Sequence, residues 1–243
     1  VSKKKKAGPA KKVNPKDDYP DGVMAPMHSS EAPVKLSHCD YPITNVMVDS
    51  AEALVELADS QLKILGDSEM YGYTIGLMPG YDNVAPSRVF GPVALMTYFN
   101  VNLKPRIDMA TIQQNCPDAK GKSVDRILQG WYGEDLFFGV ENCAKILRAN
   151  PTTKRAVITL GRRFLEADRD ASEWKCMREL VFTLRDGKLN CHAFARAQAL
   201  EVLPKNLFVN TSIQRVLAEK IGAEPGWYLH TMALLFRGGQ DKT

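Results

Sequence analysis

The 243-residue chain has little of what would send it to a membrane or build a metal centre. No run approaches the roughly 20 consecutive apolar residues that a membrane-spanning helix needs. The N-terminus lacks an apolar stretch and does not read as a secretory signal. Histidines number only four, and the five cysteines (Cys39, Cys116, Cys143, Cys176 and Cys191) show none of the paired spacings of a metal site. Their odd number argues against a disulfide framework, so reduced thiols in the cytoplasm or another reducing intracellular compartment are expected. The folded body also lacks the basic excess that the net charge of +4 suggests. Six lysines and no acid lie in the first twelve positions, which leaves 26 basic against 28 acidic residues elsewhere. Basic character therefore belongs to a terminal segment. Lys3 to Lys6 with Lys11 and Lys12 offer a field to nucleic acid or an acidic partner, or else form a solvated tail.

What is present is the composition of a soluble globular protein, and the mixture of strands and helices read along it, with a hairpin in the middle, suggests an α+β domain with a mixed sheet. Residues 1–45 read as a basic, extended arm, and 46–243 as one folded domain. Asp49-Ser-Ala-Glu52 resembles a capping box, opening a helix with Leu54, Val55, Ala58, Leu62 and Leu65 on one face and Gly66 at its end. Gly76 to Pro86 reads as a Gly/Pro/Asn-rich connection, and Ser87 to Val101 as a strand. Residues 102–123 read as loop. A helix is expected from Asp135 to Ala149, a buried strand at Ala156–Leu160, a helix from Thr211 to Ile221 closed by Gly222, and a strand from Trp227 to Phe236.

The most informative stretch runs from Cys176 to Arg196. Glu179–Leu184 and Lys188–Ala195 have strand composition, and Asp186-Gly187 between them suits a two-residue hairpin turn. If Arg185 faces Lys188, an unbroken ladder sets Cys176 opposite Ala197 and beside Arg196. Strict alternation then turns Arg196 to the other face, unless a bulge or the strand's end returns it. Lys175, Arg178 and Arg196 would favour the thiolate of Cys176, which makes it the candidate nucleophile. The bland alternative is a buried structural cysteine, as expected for Cys191. Lys154-Arg155 ahead of a buried strand suits a phosphate, or is simply a solvated loop. His192 and His230 fall inside strands and read as structural. Trp131-Tyr132-Gly133 reads as core, or as the wall of a pocket for a flat ring.

These residues together resemble the thymidylate synthase and deoxypyrimidine nucleotide hydroxymethylase superfamily, most clearly from about Asn150 to Thr231. Asn150-Pro-Thr-Thr-Lys-Arg-Ala-Val-Ile is similar to the family's Asn-Pro-x-Ser-Arg-Arg-x-Ile. Cys176 falls on its nucleophile, Arg196 on its phosphate arginine, Pro204-Lys-Asn206 on its Pro-Phe-Asn, and Glu224-Pro-Gly226 on its Pro-Gly turn. Ser87-Arg-Val-Phe-Gly91 and Tyr132-Gly133 are weaker echoes. The resemblance implies an α+β fold with a mixed sheet and packed helices that dimerises through the sheet. It also implies attack by Cys176 on pyrimidine C6, a phosphate held by Arg196 and by Lys154 and Arg155 of the other subunit, and a base read by Asn206. Methylenetetrahydrofolate would be the one-carbon donor, and no metal is implied.

The chain also departs from the family. Lys175-Cys176-Met177 stands where the family has Pro-Cys-His, and Arg196-Ala197 where it has Arg-Ser. The folate-contacting Asp falls on Ala199 or Leu200. Met232 to Phe236 lacks the His and Tyr that bind the sugar, Asp82–Pro86 replaces an Arg-Thr-Gly-Thr loop, and Leu103–Tyr132 is too short for the helix that carries a catalytic Glu. Two functions follow. One is C5 methylation or hydroxymethylation of a pyrimidine nucleoside monophosphate; the other is a catalytically silent homologue acting as a structural or nucleic-acid or protein interaction protein.

Overall fold

A computed structural model describes residues 46–66, 69–85, 87, 90–106, 108–115, 131–160 and 176–238. The lysine segment and arm, with Cys39, His28 and His38, lie outside the described residues, as do Cys116 and Lys175. In chain order the elements are β1 (Val46–Ser50), α1 (Ala51–Ile64), β2 (Met70–Asp82), α2 (Pro92–Asn102), α3 (Met109–Asn115), α4 (Gly133–Ala149), β3 (Ala156–Thr159), β4 (Met177–Arg185), β5 (Lys188–Ala195), β6 (Gln198–Ala199), α5 (Leu203–Ile221) and β7 (Glu224–Phe236).

Asp186 and Gly187 take φ of 51° and 74°, the left-handed pair that reverses a chain in two residues. Arg185 therefore faces Lys188, as expected, and β5 of the hairpin joins β7 while β4 joins β3. The strand order is β1-β2-β7-β5-β4-β3, with β6 added to β7. The β1–β2, β5–β7 and β6–β7 pairs are parallel and the rest antiparallel, so the sheet is mixed.

Registers sort the strand residues into rows. Ala156, Phe182, Cys191, Tyr228 and Leu77 form one row, and Ile158, Leu180, Ala193, His230 and Ile75 the next. All ten are buried. Helices α1, α4 and α5 pack on this face, while α2 and α3 pack against other helices. The opposite face carries Val157, Val181, His192, Leu229 and Met47, all half-buried, and no described helix covers it.

Several elements differ from expectation, each for a local reason. Helix α1 is capped by Ser50, whose Oγ accepts the Ala53 N–H at 3.3 Å, while Asp49 belongs to β1. The Gly76–Asp82 stretch is the second half of a 13-residue strand, not a connection. Glycine is needed at 76 because a Cβ there would overlap Met47 Sδ and lie 2.6 Å from Leu229 Cδ2. The expected strand at 87–101 is instead α2. Pro92 sits in its first turn, and Leu95, Tyr98, Val101 and Asn102 are buried at helical spacing. Part of the expected 102–123 loop is α3. Helix α5 starts at Leu203, eight residues before Thr211, because its buried face includes the amides Asn206, Asn210 and Gln214.

Candidate active site

The site lies where β4 begins and β5 ends. Pairing is regular from Arg185–Lys188 to Glu179–Phe194, and then Met177 pairs with Ala195. Arg178 is thus the extra residue of a β-bulge. Beyond it the Arg196 N–H donates to the Cys176 carbonyl at 2.8 Å. Cys176 therefore faces Arg196, not the Ala197 of an unbroken ladder, and the two share a face. Both are exposed. Cys143 and Cys191 are buried, and burial pushes the Cys143 thiol up to about 11 and that of Cys191 higher. Among the described cysteines, Cys176 alone is open to a ligand.

Tyr132, just ahead of α4, holds the bulge in place. Its N–H donates to Asn102 Oδ1 at 2.6 Å, and its hydroxyl accepts the Met177 N–H at 3.2 Å beside the Cys176 backbone. Burial pushes the phenol well up, so it stays neutral. The sequence reading placed Tyr132 in the core or a pocket wall and missed this role, since an irregular ladder leaves no local signal.

A second chain of polar groups runs beneath Met177. Asn210 Nδ2 lies 4.0 Å from Met177 Sδ and donates to Tyr228 Oη at 3.1 Å. Tyr228 Oη in turn lies 2.8 Å from His230 Nδ1. His230 is fully buried, its Nε2 meets no described partner, and burial lowers its pKa to about 3. On the uncovered face His192 Nε2 lies 2.7 Å from Thr231 Oγ1, which lies 2.8 Å from Thr74 Oγ1. Burial lowers the His192 pKa as well. Both imidazoles are neutral structural groups, as expected for histidines within strands.

Asn206 sits in the first turn of α5 and is 7% exposed. Its Nδ2 donates to Gln198 Oε1 at 2.8 Å, and Gln198 Nε2 donates to the Ala199 carbonyl at 2.8 Å. Lys154 and Arg155 are exposed just ahead of β3. By register Arg155 lies near Thr183, which puts it about 20 Å along the sheet from Cys176. One chain therefore brings Cys176 and Arg196 together but leaves Lys154 and Arg155 apart from them. An open groove of about 460 Å³ lies at the hairpin turn, lined by Tyr81, Lys188, Arg215, Glu224 and Pro225 among others. None of the expected site residues lines it.

No protein-family model and no curated protein matches the sequence. Among solved structures, thymidylate synthase from T4 phage matches with a TM-score of 0.62 at 12% identity, over 76% of this chain and 77% of its own. The chain has the thymidylate synthase fold. No described helix is long and apolar enough to cross a membrane.

Proposed function

We propose that the protein transfers a one-carbon unit to C5 of a pyrimidine nucleoside monophosphate. The observation that carries this reading is the bulge at Arg178, which sets an exposed thiol directly across from an exposed arginine. The Cys176 thiolate adds to C6, and the C5–C6 π pair moves toward C5. C5 is thereby made nucleophilic, and the adduct reverts when the pair returns to C5–C6 and the Sγ–C6 bond breaks. Arg196 holds the phosphate and Asn206 meets the base edge. Lys154 and Arg155 complete the phosphate site of a second copy, docked through the uncovered sheet face with its Val157, Val181 and Leu229.

The donor implied by the resemblance is 5,10-methylenetetrahydrofolate. The position that would contact it carries Ala199, whose carbonyl already accepts from Gln198, or Leu200, which is buried. These residues do not fit a folate. The chemistry derived from this chain is the covalent adduct on the base.

The burial of Asn206 and its bond to Gln198 favour a second reading, a silent homologue that binds no nucleotide. Nucleic-acid retention, if any, would then be lost on removal of residues 1–12. A 5-fluoropyrimidine deoxynucleoside monophosphate separates the two readings. Under the first, mass spectrometry shows a covalent adduct that Cys176→Ala abolishes, and light scattering shows a dimer at micromolar concentration. Calorimetry without binding of dUMP, dCMP or CMP, together with unmodified Cys176, establishes the second. A monomer that still forms the adduct removes only Lys154 and Arg155 from the site.

A further inference from the structure

The orientation of the Asn206 amide is dictated by a group that does not touch it. The Ala199 carbonyl has no proton to give, so Gln198 must turn its nitrogen toward it, at 2.8 Å. That leaves the Gln198 oxygen facing Asn206, which must answer with its own nitrogen, at 2.8 Å. Gln198 is 1% exposed and Asn206 7%, so water is poorly placed to rescue a flipped amide. A flip of either side chain opposes oxygen to oxygen or nitrogen to nitrogen, and at least one buried hydrogen bond is lost. The Asn206 carbonyl oxygen, in contrast, meets no donor among the described residues.

Uracil and cytosine differ at the edge such an amide would meet. Uracil has an N–H at position 3 and a carbonyl at position 4; cytosine has a bare nitrogen at 3 and an amino group at 4. A free amide serves both by rotating half a turn. A locked one matches a single polarity, given a ring already tethered by its phosphate and by the bond from Cys176 to C6.

We propose that Gln198 is a positioning residue that locks the Asn206 amide, so that the site accepts one of the two pyrimidines and rejects the other. The inference rests on the reading of Asn206 as the group that meets the base. No feature of the sequence marks Gln198, because its role depends on a backbone carbonyl one residue away and on a helix that starts earlier than its apolar pattern implies.

Calorimetry with dUMP and dCMP on the full chain tests it. The wild type is expected to prefer one nucleotide by about ten-fold or more, the scale set by a mismatched buried polar group. Gln198→Leu removes the lock, and its two affinities should converge to within about three-fold. Gln198→Glu is expected to retain the preference: a buried, protonated carboxyl gives its O–H to Ala199 and keeps an oxygen for Asn206. A purely structural role for Gln198 would lower both affinities and leave their ratio unchanged. Equal wild-type affinities, or a folded Gln198→Leu protein with the wild-type ratio, overturn the lock while leaving the nucleotide reading intact. If the wild type binds neither nucleotide, the reading of Asn206 fails and the lock with it. Should Gln198→Leu fail to fold, the wild-type ratio and Gln198→Glu decide: a preference lost in Gln198→Glu overturns the lock.

Discussion

The two ends of the β4–β5 hairpin are made from the same two strands, but only one departs from regular pairing. At the turn, Asp186 and Gly187 close the ladder in register, and an open groove with Lys188, Arg215 and Glu224 lies alongside. Arg215 is held there, its guanidinium 5.2 Å from the Tyr81 ring centre and its Nη2 donating to the Tyr81 carbonyl at 2.9 Å. That end has volume and charge, but no cysteine lines the groove. At the far end a single extra residue brings Cys176 across from Arg196, with Tyr132 bonded to the irregular backbone. The thiol and the arginine are brought together by an irregularity in pairing, away from the walls of the groove.

The largest expected effect comes from disturbing that irregularity. Insertion of one glycine between Cys176 and Met177 moves the thiol one place along and turns it to the other face, while Met177 and everything behind it keep their partners. Covalent labelling by the 5-fluoropyrimidine nucleotide should slow by about 100-fold or more, as misplaced reacting atoms do. The melting temperature should change little. Labelling at the wild-type rate would show that the pairing of Cys176 with Arg196 does not matter.

A smaller effect is expected from acid, which acts on the buried row between the two ends. The His230 pKa is lowered from 6.5 to about 3, so the folded chain binds fewer protons than the unfolded one. The contribution is whole above pH 6.5 and is lost as pH falls toward about 3; the lowered His192 acts with the same sign. Between pH 6.5 and 4.5 the loss from His230 is about 2 kcal/mol. Urea midpoints for the wild type and His230→Gln should show it, with a shallower acid slope in the variant. Parallel slopes would remove His230 from the account. The smallest effect belongs to the turn end. Arg215→Ala should cost about 1 kcal/mol or less and leave labelling of Cys176 unchanged. A large change in labelling would mean that the two ends are coupled.

What could be read in advance follows the same division. The hairpin, its turn, the strand at Ala156 and the end of α5 at Gly222 rest on local chemistry, and each is found where the residues place it. Helix α4 also starts close to expectation, at Gly133. Helix α2 was not legible, because an apolar run of its length has no period that separates a buried helix from a buried strand. Strand β2 was hidden by Gly76, whose presence reflects the crowding of Met47 and Leu229, residues far away in sequence. The start of α5 was hidden by Asn206 and Asn210, polar residues on a buried face. For the site, the neighbourhood of Cys176 and Arg196 was legible but their facing was not. That depends on one residue of misregister, which composition does not record. The roles of Tyr132 and Gln198 depend on partners 45 residues away and on a main-chain carbonyl, and neither leaves a motif.

The bulge also gives this stretch of chain an asymmetric tolerance to changes in length. Arg178 has no partner position of its own on β5, so β4 carries one residue of slack. Loss of Arg178 would restore an unbroken ladder in which Met177 still meets Ala195 and Cys176 still meets Arg196. Gain of a residue beyond it, between Cys176 and Met177, would separate that pair at once. Shortening the strand at Arg178 would keep the thiol opposite Arg196, at the cost of the bond from the Leu160 N–H to the Arg178 carbonyl. Lengthening it next to the thiol would not, and a comparison of relatives that keep the cysteine should find length differences at 178 and none between 176 and 177.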